Sequence, residues 1–178
     1  AQGHNSAFVD KQNRSFVVYH TRFSNGGEGH QVRVHQLFLN DEGWLMAAPF
    51  EFDGETITDA AIASKASIAD ADIAGDYQFM RHQYGQNTKA KAFETPVNIT
   101  LNADGTITGA EKGTWKRTAG TDYIHLTINN VVYRGVLVKQ TIDYTNIPAI
   151  AISALSSSSG SLTMGQNNYT YQQEVWAV

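Results

Sequence analysis

Six histidines and a scatter of carboxylates are the side chains in this sequence best suited to move protons or hold metals. General acid–base cleavage needs two carboxyl groups flanking the bond that breaks, about 5 to 10 Å apart depending on mechanism. The amino-terminal third offers Asp10, Glu28, Asp41, Glu42 and Glu51. All sit in or beside turn signals, where carboxylates are usually solvated or bonded to their own backbone. No pair stands out, so no catalytic residue is assigned. The histidines form no metal motif. His30 and His35 are five apart on one predicted strand and therefore point to opposite faces. His20 and His35 read as buried structural imidazoles. His4 differs, because Gly3-His4-Asn5-Ser6 precedes the first predicted strand. A side chain at that point can face the open end of a sheet, where an imidazole binds a cation or holds a water that does.

Other chemistries fail early. The chain has no Gly-rich phosphate loop, no Gly-x-Ser-x-Gly elbow and no His-Glu-x-x-His pair. Cysteine is absent, which removes thiolate ligands, thiol nucleophiles and disulfides without deciding the compartment. A net charge of -4 without basic stripes argues against nucleic acid as a partner. Apolar runs such as residues 147–155 are too short to span a bilayer. With 42% hydrophobic and 11% aromatic residues, the 178-residue chain can fill a core.

The elements that must position these groups are strands. Residues 6–10, 15–23, 30–39 and 44–50 read as a four-stranded antiparallel meander separated by polar and Gly-containing turns. Phe16, Val17, Val18 and Tyr19 are consecutive, so both faces of the second strand are apolar. A sheet of that kind lies between two other layers, as a propeller blade does. Alone it would expose two faces and two edges. Residues 53–75, rich in Ala, Ser, Asp and Ile, read as a connector with a short helix capped at Thr58 or Asp59. Strand signals return at 77–82, 96–101, 106–108, 113–117, 123–128, 131–140, 147–155 and 171–177. Asn102-Ala103-Asp104-Gly105 and Asn129-Asn130 serve as hairpin turns, and the serine run 156–161 reads as a loop. Eight short strands in that length fit a small closed barrel or sandwich. The fold class is therefore all-β, with a blade-like sheet over 1–52, a linker over 53–75 and a barrel over 76–178. Within the barrel region, Tyr77, Tyr84, Trp115, Tyr123, Tyr133, Tyr169 and Trp176 could form a sugar platform. Filling the barrel interior is the better use for them, with Trp115 largely buried.

Four segments in order, Gly3-His4-Asn5-Ser6, Tyr19-His20-Thr21-Arg22-Phe23, Glu28-Gly29-His30-Gln31-Val32-Arg33-Val34-His35-Gln36 and Asp41-Glu42-Gly43-Trp44, resemble the final propeller segment of family 43 endo-α-1,5-L-arabinanases. Gly75-Asp76-Tyr77, residues 102–109, Lys112-Gly113-Thr114-Trp115-Lys116, Tyr133-Arg134-Gly135-Val136 and Ser153-Ala154-Leu155 resemble the C-terminal domain of that group's two-domain members. The resemblance implies a five-bladed propeller, secreted from the cell, that cleaves arabinan with inversion. It uses an aspartate base, a glutamate acid and a positioning aspartate, all in earlier blades that this chain lacks. It also implies that His4 sits by a calcium ion in the central channel. The N-terminal propeller portion, as a separate chain or a missing segment, is then the expected protein partner, and arabinan the expected substrate.

Three roles compete. The sheet completes a propeller supplied elsewhere, the barrel is a carbohydrate-binding module, or the barrel only buttresses the propeller. The chain starts at Ala1 without methionine or an apolar leader, so it is expected to be processed or a fragment, and the doubly apolar sheet favours the fragment.

Overall fold

A computed structural model describes residues 2–22, 29–82, 95–164 and 167–178. Its first unit is a four-stranded antiparallel sheet with strands in chain order: β1 (Gln2–Val9), β2 (Ser15–Arg22), β3 (His30–Leu39) and β4 (Leu45–Ala47). Short-range polar chemistry makes the turns. Asp10 accepts from the backbone N–H of Gln12 and Arg14, each at 2.9 Å, and Asn13 takes a left-handed φ of 60°. Asn40 does the same for Glu42 and Trp44, with Gly43 at φ 81°. β4 is shorter than the sequence pattern suggests, because after Ala48 the chain leaves the sheet to follow the barrel. Phe50 N–H and Glu51 N–H donate to the side chains of Gln140 and Asp143 there.

Two short helices follow. Thr58 caps α1 (Asp59–Ser64) as expected, its Oγ1 accepting from Ala61 N–H at 3.2 Å. The second, α2 (Asp70–Ile73), has no side-chain cap and was not predicted. This connector is packed down. Ile68 and Ile73 enter the barrel core, and Ile62 enters a second cluster. Buried Asp122 pins the segment by accepting from Ser67 N–H and from the Arg117 guanidinium at 2.5 Å, while Arg117 also donates to Ile68 O.

The remaining strands close a barrel: β5 (Gly75–Arg81), β6 (Val97–Leu101), β7 (Thr106–Gly109), β8 (Gly113–Arg117), β9 (Tyr123–Ile128), β10 (Val131–Thr141), β11 (Pro148–Met164) and β12 (Asn167–Ala177). Neighbours pair antiparallel in sequence order, and β12 returns to β5. Period-two alternation fills the interior: Ile124, Leu126 and Ile128 point in, as do Phe79, Leu101 and Val175. The predicted Asn129-Asn130 turn is present, with both residues at positive φ (51° and 65°). Gly135 and Gly113 permit close strand approach: a Cβ on them would meet Ser153 O at 2.1 Å and Thr127 O at 1.8 Å.

The serine run corrects the sequence reading. It is strand, not loop: β11 continues to Met164 paired with β12, with a register shift between Leu155 and Ser159. Ser156 closes that irregularity from a buried position, its hydroxyl donating to Ser158 O and accepting from Gln173 N–H, each at 2.8 Å. Poor local β-propensity is overridden by a long antiparallel partner.

Sheet and barrel share a core. Phe38, Met46 and Ala48 pack with Ile62 against Val136, Val138 and Ala151. Residues 135–138 of β10 are consequently buried on both faces. Polar ties flank that cluster: Asn40 donates to Arg134 O, and Asp41 accepts from His125 at 2.6 Å and from Arg134 at 3.2 Å.

Candidate functional site

His4 lies within β1 rather than before it, because pairing with β2 begins at Gln2↔Thr21. The register shifts between Gly3 and Ser6, so His4 and Asn5 occupy a bulge. His4 takes φ 48°, a left-handed conformation uncommon for a non-glycine residue, and its ring is exposed. Bulges re-aim side chains, and here the bulge turns the His4 ring towards His20 at 4.8 Å between centroids. Its Nδ1 lies 3.3 Å from Nδ1 of His20, so one of the two carries the shared proton. His20 in turn stacks on His30 at 4.6 Å between centroids. Register produces this row: Gly3 faces His20, and Arg22 faces His30 two residues on.

Nothing local in the chain signals three adjacent imidazoles, since their contact depends on strand pairing. Among the described residues, no group of three His, Asp or Glu side chains is arranged to hold a metal ion. His35 is the structural histidine expected. It is buried, donates from Nδ1 to Ala48 O at 2.7 Å, and so accepts from the Tyr19 hydroxyl at Nε2 at 3.0 Å. His30 is exposed on the opposite face, as the spacing requires, and His20 is half-buried.

The candidate carboxylates do not converge. Asp10 pairs with Arg14, Glu51 with Arg33, and both Asp41 and Glu42 with Arg134. Backbone and Arg14 hydrogen bonds leave the Asp10 carboxyl below the usual range despite the opposing desolvation. Glu28 lies outside the described residues. These acids tie turns and the seam together, which is a structural use.

Of the aromatic residues, Tyr77 and Tyr133 are buried. Burial pushes the Tyr77 hydroxyl, which donates to Ile73 O, up to about 12. Trp115 is partly buried. It packs against the core and donates from Nε1 to Asn102 O at 2.9 Å, yet lines a cleft with Arg117 and Gly120. The side chains of Tyr84 and Tyr169 fall outside the described residues.

Trp176 sits on the outer barrel wall, between inward-facing Val175 and Ala177. There it meets Tyr19, His35 and Asn5 of the sheet, and His82 and Glu174 of the barrel, around a cavity of ≈ 400 Å³. Its indole Nε1–H donates to Glu174 at 3.1 Å, and the His82 ring stands edge-on to it at 4.2 Å. Burial raises the Glu174 carboxyl and lowers the His82 imidazole, so both lean towards their uncharged forms. Neither was singled out from sequence. Alternation in the last strand was the available signal, but only the docked sheet encloses those outward positions.

Comparison with known proteins then places the chain. A model of the family GH43_C, a C-terminal lipocalin-like domain, matches residues 49–165. An extracellular endo-alpha-(1->5)-L-arabinanase of Thermotoga petrophila is 44% identical over 143 residues, covering 78% of this chain and 28% of that protein. Extracellular endo-alpha-(1->5)-L-arabinanase 2 of Bacillus subtilis is 38% identical over 157 residues, covering 88% and 31%. The crystal structure of the Thermotoga petrophila endo-1,5-alpha-L-arabinanase superposes with a TM-score of 0.77 at 39% identity, over 99% of this chain and 34% of that one. The chain thus spans 28% to 31% of the length of these curated relatives.

Proposed function

The chain belongs to the GH43_C family of C-terminal lipocalin-like domains, and from that footing we propose that it is the C-terminal part of an extracellular arabinan hydrolase. In this reading the sheet is the last blade of a five-bladed propeller, and the barrel is an accessory domain. The whole enzyme hydrolyses α-1,5-L-arabinofuranosidic bonds with inversion. Its acid and base come from the N-terminal propeller portion, which this chain completes. The observation that carries this is apolar exposure on both faces of the sheet. Phe8 (49% exposed) and Val32 (68%) lie on one face, Val9 and Leu45 (57%) on the other. Burying such surface against neighbouring blades is what a propeller provides.

The metal role of His4 belongs to the same proposal. Calcium prefers oxygen donors, and His4 presents an exposed imidazole that can hold a water. That donor set fits a residue that holds a water of the ion, with oxygen ligands from elsewhere, rather than a complete site. A bound calcium would supply a fixed positive field that lowers the pKa of nearby carboxyl groups. His4 contributes the orientation of that water, through its bulged backbone and its contact with His20.

Residues 1–178 alone are expected to be inactive on arabinan, and mixing with the missing propeller portion to restore hydrolysis. Hydrolysis by the purified chain alone, or a structured complex with no activity, would overturn the reading. A second reading has the barrel as a non-catalytic arabinan-binding or stabilising module. The cleft of ≈ 590 Å³ at half-buried Trp115 favours it, and deletion of the barrel with retained turnover but weaker polysaccharide binding would support it.

A further inference from the structure

We infer that the seam between sheet and barrel is a sugar-binding subsite, shaped for a neutral, hydroxyl-rich pentosyl unit of the substrate chain. Two walls of different origin make the cavity. Glu174, Trp176 and His82 come from the barrel exterior, where cross-strand pairing sets His82 beside Glu174 and its N–H donates to Glu174 O at 3.0 Å. Tyr19, His35 and Asn5 come from the sheet; Tyr19 and His35 share the face of Val9 and Leu45, so in the completed enzyme a neighbouring blade borders the cavity on that side. A volume of ≈ 400 Å³ suits a small ligand.

The chemistry of the lining selects the ligand. Trp176 offers an apolar indole face at the cavity, held by its N–H to Glu174, by the His82 ring edge-on to it and by the His35 ring lying near-parallel at 6.5 Å between centroids. Ring C–H groups of a sugar pack on such a face. Around it stand groups with capacity left over. The His82 Nε2 atom is buried and has no partner among the described residues. Glu174 has a second carboxyl oxygen. The Tyr19 oxygen can still accept after donating to His35, because His35 Nδ1 is committed to Ala48 O. Sugar hydroxyls both donate and accept, so they match this mixture. A cationic ligand would want an ionised carboxylate, and an anionic one a charged imidazole. Burial disfavours both states.

An unpaired buried nitrogen is costly to keep unless something pairs with it. Asn5 on the lining adjoins His4, so the subsite continues from the edge strand that the proposed reading places at the channel. The arabinan identity of the ligand rests on that reading, whereas the sugar chemistry of the seam does not.

The test uses the 178-residue chain labelled with ¹⁵N, titrated with arabinotriose and, separately, xylotriose to high millimolar concentration. The three indole signals are assigned by single Trp→Phe variants. The Trp176 signal should shift saturably with arabinotriose while the Trp44 signal stays still. His82→Ala and Glu174→Ala should each weaken binding about tenfold, the loss of one hydrogen-bonding partner. Glu174→Gln should retain it, and thermal unfolding shows that each variant is folded. No saturable shift in the folded chain, or variants that bind like the parent, would overturn the subsite and leave the reconstitution test of the enzyme untouched. A shift with xylotriose but not arabinotriose, with the same sensitivity to His82→Ala, would sustain the seam as a sugar site and overturn its arabinan identity.

Discussion

Replacing Phe38 by alanine tests whether sheet and barrel fold as one body. Phe38 is 1% exposed and sits between Met46 and Ala48 of the sheet and Val136, Val138 and Ala151 of the barrel. A phenylalanine side chain buries about 150–250 Å². At about 25 cal/mol per Å², that gives roughly 4–6 kcal/mol as an upper bound. The site cannot collapse freely, because β10 is packed from its inner face too. A loss of about 3–5 kcal/mol is therefore expected, out of a total stability of about 5–15 kcal/mol. Urea unfolding followed by far-UV circular dichroism and by tryptophan emission should shift to lower midpoint in both signals together, with unchanged slope. Leu45→Ala, at a 57% exposed position, is the control and should stay within about 0.5 kcal/mol. A Phe38→Ala loss below about 1 kcal/mol, or emission and dichroism separating into two transitions, would refute a shared core.

The proposed metal role predicts that, in the proposed enzyme completed by its N-terminal portion, His4→Ala lowers turnover about 10- to 100-fold, the range for loss of a metal-orienting group, with nearly unchanged melting temperature. His35→Ala should do the reverse, costing about 1–3 kcal/mol by stranding the Ala48 carbonyl and the Tyr19 hydroxyl. Gly135→Ala places a Cβ 2.1 Å from Ser153 O, and should cost about 1–3 kcal/mol or more through forced strand separation, read as a lowered denaturation midpoint. Glu174 has a folded pKa raised by burial above its ordinary 4.5, so the folded state binds the extra proton. Its contribution is fully present below that value and is lost as pH rises through the raised one. Glu174→Gln should therefore gain stability relative to the parent across that window, measured as melting temperature against pH.

Strand positions were legible because alternation is a local property. Residues 113–117, 123–128 and 30–39 coincide with β8, β9 and β3, and Asn129-Asn130 specified its own turn. The connector helix was legible for the same reason, since a threonine cap acts on the N–H three residues later. What pairing decides was not legible. Ser156 and its neighbours look like a mobile loop until β12 lies beside them, and Ser156 then becomes the buried bolt of an irregular ladder. Trp115 was expected inside the barrel. It lies on the inward-alternating side of β8 and packs against the core, but keeps one edge on a surface cleft.

The candidate site divides along the same line. His4 was recognisable by its place in a motif, but its left-handed backbone and its contact with His20 come from a bulge that only the β1–β2 register reveals. The seam was less legible still. Glu174, His82 and Trp176 alternate outward from the barrel, which on a free barrel means solvent, and nothing local marks them as enclosed. The sheet changes their meaning by docking through Phe38 and Met46 at a distance in sequence. Once covered, an acid and an imidazole that water would have satisfied must find partners in each other's surroundings. Trp176 partners Glu174, while His82 Nε2 has no partner among the described residues. Chemistry in this chain therefore arises where two separately readable units meet, and the docking that buries Phe38 is the same event that creates the cavity at Trp176.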